Sequence, residues 1–535
     1  MTFHYITQRY EMKAIFFVFL TFIIIILLST TAQAVEYREV DKEVNASDIL
    51  THIEMGEDIN LDNCSIVGEL NVSKIKTVPN PLYYHLDQVD GNNNRFIIWR
   101  HTKPLHVIES NITIRNTFFE NSVDLSYVFF KNSADFEGST FNKSVDFEES
   151  VFNTSNFTRL TFNNSVNFGG STFNSSVDFL QSTFNDSTIF VESTFNDSAF
   201  FVGVLFNNSL NSPDFRESTF NDSAYFGGTI FKGYAHFVWA IFNNSADFAG
   251  VTFDNSSDFK QSTFNESASF YGTIFNNSVT FEGSTFNNST DFTGVTFKDN
   301  ADFEKSKFNN VVYFRESTFN NSANLGDSTF NNSVYFGDST FKDAAYFGGS
   351  IFKNSVDFWG ATFSNSADFV APETSETIFT DGKTCEFFRK SYNSYARYTD
   401  ADNIYYNFRI TWMEGKSISI SKLIDILSWV TCGFGIKLEY TIGWIIGIII
   451  FFAFVYKWDW KTPGIYRASE EDKTEKSKVS FWECLCFSIN TFTTLGSPNW
   501  SHRDKFWYVI TIEGVLGWIM LAIFLATLMH LLIRP

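Results

Sequence analysis

The sequence predicts a mainly β chain: a long solenoid followed by an α-helical membrane module. Three observations predict it. Phe counts 66 of 535 residues, against 8 Pro, so the ring has a repeated internal use. From about Ile108 to Phe369 the rings recur at alternating steps of six and five residues. Near the end of the chain, two long apolar runs flank the stretch TFTTLGSPNW, residues 491–500.

The bulk numbers exclude several classes. The formal net charge is −21, with the acids spread through the repeats. That suits a self-repelling, soluble surface and lacks the basic stripe of a nucleic-acid binder. The five cysteines are Cys64, Cys385, Cys432, Cys484 and Cys486. No pair has metal-ligand spacing, and the C-x-C of Cys484 and Cys486 is too close for a zinc knuckle. They are expected to be buried small hydrophobes. No metal, no cofactor and no nucleic-acid partner is expected.

At the N-terminus, Arg9 and Lys13 precede the apolar run AIFFVFLTFIIIILL, and STTAQA follows with Ala32 and Ala34 placed for cleavage. Residues 1–34 thus read as a signal peptide or an uncleaved signal anchor. Either way, the chain from Val35 onward is expected outside the cytoplasm.

The ladder is clearest in FNNSADFAGVTF, residues 242–253. Phe242 to Phe248 is a step of six and Phe248 to Phe253 a step of five; the alternation continues through Phe259, Phe264 and Phe270, with Leu325 holding one later place. A helix of period 3.6 cannot keep such a ladder on one face, nor can a simple alternating strand. A solenoid of stacked coils can. The register slips twice. Phe152, Phe157 and Phe162 are spaced by two fives, and Phe206 and Phe215 lie nine apart around NNSLNSPD; bulges or loops are expected there. DINLDNCSIVGELNVSKI, residues 58–75, reads as the start of the ladder, and DGNNNRF as a turn. Asn-x-Ser/Thr triplets recur, as at Asn207, Asn243, Asn276, Asn287 and Asn331. They are glycosylation acceptors if exported, or simply what turns at corners prefer. The acids before Phe (Asp135, Asp146, Asp178, Asp247, Asp258) repeat as a structural position. No catalytic constellation stands out, and an enzyme is not expected.

The 5–6 alternation resembles the pentapeptide-repeat family, over roughly half the chain. The resemblance implies a right-handed, four-sided β-helix. The central Phe or Leu of each unit would face the axis with the small residue two before it, as Ala246 before Phe248 and Val356 before Phe358. Four units per coil would take 22 residues. The implied organisation is an N-terminal start of the solenoid over 35–107, repeats over 108–370, a helical connector over 371–440 and a two-helix membrane module over 441–535.

In the connector, residues 386–417 read as a helical hairpin. Residues 421–432 read as an amphipathic helix on the membrane surface. Apolar runs at about 441–457 and 506–533 read as spanning helices, separated by a Lys/Glu-rich linker (458–478) and a pore-loop-like segment (480–500). This order resembles the two-helix pore module of the potassium-channel superfamily. By that resemblance Thr494 matches the filter Thr, Leu495 the Val, Gly496 the first Gly, Ser497 the aromatic and Pro498 the second Gly. The resemblance makes Thr493, Thr494, Leu495, Gly496 and Ser497 the candidate selectivity filter. Such a filter replaces an ion's water shell with backbone carbonyls. Proline holds φ near about −65° and cannot take a positive-φ glycine geometry, so weakened potassium selectivity is expected. A conducting pore would need four copies, a homotetramer passing monovalent cations. The alternative is a membrane-anchored surface scaffold or adhesion protein with a non-conducting remnant. Glu513 in the last helix favours a pore or an oligomer interface, since a carboxyl facing lipid is costly.

Overall fold

The computed structural model describes residues 35–74, 85–89, 95–99, 105–208, 213–363, 367–368, 382–394, 396, 398–458, 465–467, 479–496, 500–502 and 506–533. Residues 1–34, read above as a signal peptide or signal anchor, lie outside these residues. The chain divides into two compact units. The first runs to Ser350 and includes Ala361–Ala367; the second comprises Ile351–Gly360 and the chain from Asp368.

The first unit is a parallel β-solenoid. Most of its strands are two residues long, set at the Thr-Phe and small-residue positions of the repeat. Thr161–Phe162 pairs with Thr183–Phe184, which pairs with Leu205–Phe206 and then Ile230–Phe231, all parallel and in register. Each strand therefore meets the fourth strand ahead, one coil later. The parallel rows form sheets of 24, 14 and 13 strands, about 13 turns in all.

The repeat chemistry explains the coil. The ladder Phe side chains from Phe130 to Phe358 are buried, as are Leu325, Ala246 and Val356 in their expected places; Phe363, near the end, is half-buried. Each ring stacks on the ring one coil away: Phe264 lies 4.8 Å from Phe242 and 4.8 Å from Phe286, its plane nearly parallel to both. Such offset stacks add roughly 0.5–1.5 kcal/mol per pair beyond burial. After the Phe, the chain turns. The Ser171 N–H donates to the Phe168 carbonyl at 3.0 Å, and the residue between, Gly170, has φ +67°. Elsewhere Glu149, Gln181 or Glu192 holds that left-handed position. The Ser that follows is buried, yet satisfied: Ser171 Oγ donates to the Phe147 carbonyl one coil back at 2.7 Å. The Asp before Phe is structural, as expected. Asp146 and Asp247 each accept the N–H two residues on, at 2.9 Å.

Both slips are local. At the first, strand Val151–Asn156 runs straight through a corner beside Val128–Asp135, and the pairing shifts between Phe130 and Ser133. One strand has a residue fewer, and the bulge absorbs it. At the second, Thr183–Phe184 still pairs with Leu205–Phe206, and Thr188–Ile189 with Pro213–Asp214. The ladder survives on both sides; residues 209–212 lie outside the described ones.

The N-terminal segment joins the same rows. Glu36–Val40 pairs with Asp58–Asp62, which pairs with Ile112–Arg115. A helix not anticipated, α1 (Ala46–Glu54), buries Ala46 and Ile49 beside these strands. His85–Val89 and Arg95–Trp99 pair as antiparallel strands; of the DGNNNRF stretch, residues 90–94 lie outside the described ones, and Arg95 and Phe96 begin the second strand.

The second unit is helical: α2 (Gly382–Ser394), α3 (Tyr398–Gly415), α4 (Ile420–Cys432), α5 (Leu438–Lys457), α6 (Phe481–Phe492) and α7 (Trp507–Leu532). The hairpin, the amphipathic helix, both spans and the half-helix fall where the pattern places them. One feature was not anticipated: Ile465–Arg467, in the polar linker, pairs antiparallel with Trp500–His502 beyond the pore-like loop. Cys64, Cys385, Cys432 and Cys484 are buried, but Cys486 is exposed. It lies two residues from Cys484, on the opposite side of α6, which corrects the expectation of burial for all five.

Candidate functional site

The membrane module is built from α5, α6 and α7. α5 and α7, of 20 and 26 residues, are long and apolar enough to cross a membrane. At 1.5 Å per residue they reach about 30 and 39 Å, against a hydrocarbon core of about 30 Å. Between them, α6 starts with a capping box: Ser480 Oγ accepts the Glu483 N–H at 3.3 Å, and the Glu483 carboxylate accepts the Ser480 N–H at 2.8 Å. That satisfies helix-end donors which lipid could not. α6 is only 12 residues long. It buries Cys484, Phe487, Ser488 and Phe492 on one stripe, packed with Phe452, Ala453 and Tyr456 of α5.

α7 turns Glu513, Gly517 and Met520 to the interior, one face at helical spacing. A Cβ placed on Gly517 would lie 2.1 Å from the Phe492 carbonyl oxygen. Gly517 therefore lets the last turn of α6 approach the backbone of α7. Glu513 does not face lipid: it is fully buried. Its carboxyl meets the Tyr456 hydroxyl at 2.5 Å and the Ser488 hydroxyl, so it touches α5 and α6 together. These partners were not legible in the sequence, where Ser488 is a lone hydroxyl in an apolar run.

The candidate filter leaves the end of α6. Thr493 is half-buried; its N–H donates to the Ile489 carbonyl at 2.9 Å and its hydroxyl to the same oxygen at 2.7 Å. Thr494 has φ +58°, which a β-branched residue adopts only at a cost. Gly496 follows at φ +73°. Thr494, Leu495 and Gly496 are exposed, and Leu495 is 77% accessible. One chain thus presents the loop without enclosing it. Ser497, with Pro498 and Asn499, lies outside the described residues.

The connector meets the far end of α7. Arg389 of α2 lies 3.4 Å from His530 and Asp402 of α3 lies 3.8 Å from it. In α4, Leu423, Ile424 and Leu427 are exposed while Asp425 is buried. Asp425 meets Lys416 at 2.5 Å and Arg409 at 2.8 Å. The Lys416 ammonium, with Arg409 beside it, holds that carboxyl below its ordinary range. The polar face packs inward and the apolar face points out, as in a helix lying on a membrane. Among the described residues no group of His, Cys, Asp and Glu side chains could hold a metal ion.

These features define a repeat solenoid joined to a membrane module of two spans around a half-helix. The family model for pentapeptide repeats matches in nine copies, with spans of 209–252, 239–285, 270–318, 292–339, 303–351 and 327–371. The family model described as ion channel matches residues 441–534. The chain thus carries pentapeptide repeats and a C-terminal ion-channel domain; neither family is one of enzymes. No curated protein and no solved structure matches the chain.

Proposed function

We propose that the chain is a subunit of a weakly selective cation channel, with four copies around one axis and a solenoid of pentapeptide repeats attached to each. One observation carries this reading: within the ion-channel match, a half-helix packed on one face delivers a Thr-Thr-Leu-Gly turn, exposed from Thr494 to Gly496, between two apolar helices long enough to span. Thr493, Thr494, Leu495, Gly496 and Ser497 form the filter. Carbonyls of this stretch from four chains would replace part of an ion's water shell. Pro498 removes the second positive-φ position, so fewer rings strip the ion and potassium is poorly distinguished from sodium.

Full-length protein in lipid vesicles tests this. Cation flux with a reversal potential between the potassium and sodium limits is expected. Replacing Ser497 by Tyr together with Pro498 by Gly should move it toward potassium. Strong native potassium selectivity would overturn the filter argument. Absence of flux from both versions, with monomers in detergent, would make the module a plain anchor for a surface solenoid.

A further inference from the structure

Glu513 sits where a charge is least welcome: fully buried, between two apolar helices and the half-helix. Among the described residues no Lys, Arg or His pairs with it. The side chain of Lys457, next to Tyr456, lies over the Phe481 ring at 5.9 Å. The other buried titratable side chains of the two helices packed against it are Tyr456 itself and the thiol of Cys484, one turn before Ser488; Glu439, Tyr440 and Cys486 are exposed, and Glu483 caps the start of α6. None of these brings a positive charge.

The hydrogen atoms do not add up if Glu513 is ionised. Ser488 Oγ lies 2.9 Å from the Ile449 carbonyl oxygen and also contacts one oxygen of the Glu513 carboxyl. Tyr456 Oη reaches the other carboxyl oxygen at 2.5 Å. A hydroxyl has one hydrogen, and carbonyl and carboxylate oxygens have none. Three contacts would then share two hydrogens.

We propose that Glu513 is held as the neutral acid and is the positioning residue of the half-helix. The Tyr456 O–H donates to Glu513, the Glu513 O–H donates to Ser488 Oγ, and the Ser488 O–H donates to the Ile449 carbonyl. Every hydrogen in the chain is used, and no charge is buried. The chain pins α6 to both spans, five residues before Thr493. Removing the proton turns the Ser488 hydroxyl to the carboxylate, frees the Ile449 carbonyl and leaves an unpaired charge behind the filter. α6 then loosens at its centre. The effect on conduction rests on the channel reading above; the proton on Glu513 does not.

The experiment uses full-length protein in lipid vesicles and two readouts. The infrared spectrum of the wild type minus that of E513Q should show the C=O stretch of a protonated carboxylic acid at neutral pH, fading as the pH is raised. Absence of that band at neutral pH overturns the proposal whatever the flux. In the second readout, E513A should lower cation flux about tenfold or more, the scale of losing one or two buried hydrogen bonds. E513Q should restore it, because an amide can both accept from Tyr456 and donate to Ser488. It should also abolish the loss of flux that the wild type shows as the pH rises. E513Q as inactive as E513A, or with the wild-type pH profile, overturns the positioning role. The band present with no flux from any variant would support the neutral brace and sink the channel reading.

Discussion

At the scale of single residues, the solenoid rests on one side chain used many times. Phe264 is fully buried and stacked on both neighbours. Its truncation opens a cavity that stacked β-coils cannot close. Phe264→Ala should cost about 3–5 kcal/mol locally, read as faster amide exchange in that coil and the two beside it, with less effect for end-coil rings. A silent change would contradict the ladder. The corner asparagines make a second column. Asn265 donates to Asn243 at 2.8 Å, and Asn287 to Asn265 at 2.8 Å. Asn243, Asn265 and Asn287 each begin an Asn-x-Ser triplet. The nitrogen that would carry a glycan is thus a rung, with neighbours about 4.8 Å away. A sugar takes one of its two N–H hydrogens and is too wide to repeat at that spacing. Sparse glycosylation of exported protein is expected, never on adjoining rungs. Mass spectrometry of a fragment holding both Asn243 and Asn265, each modified, would refute this.

At the scale of elements, the half-helix is placed by an absence. Gly517 leaves room for the Phe492 carbonyl, whereas a Cβ at Gly514 would meet open space. Gly517→Ala should push the end of α6 from α7, lower the melting temperature and abolish flux. Gly514→Ala should do neither, and equal effects would show that both act only through helix flexibility. The contrast marks what sequence can carry. Both glycines sit in one apolar run, and nothing local separates them. The ladder was legible because every coil repeats one requirement, a ring inside and a turn outside, so periodicity alone reports it. α4 was legible as amphipathic, but its packing was not: Asp425 turned inward only because Arg409 and Lys416 meet it there. Helix α1, the pairing of Ile465–Arg467 with Trp500–His502, and the partners of Glu513 all depend on contacts between distant segments. Composition and spacing do not record such contacts.

At the scale of the whole molecule, helix lengths constrain which side of the membrane could hold the repeats. Among the described residues between the connector and α6, only α5 is long and apolar enough to cross. α4 has 13 residues; it would reach about 20 Å against a core of about 30 Å, and its apolar face lies along the helix. On the proposed channel reading, connector and filter loop would then belong on opposite sides of the bilayer. No long apolar run separates the repeats from the connector, so the same reading would put the two on one side. If the leader exports the chain, the repeats stand outside and the linker with Lys461, Arg467, Lys473, Lys476 and Lys478 stays inside. That agrees with the positive-inside rule and opens the filter inward, opposite to the superfamily it resembles. Protease added to intact cells should then cleave the repeats and connector while residues 458–478 stay protected until the membrane is broken. Cleavage of that linker from outside, with the repeats protected, would show instead that the N-terminal run does not export the chain and that the filter opens outward.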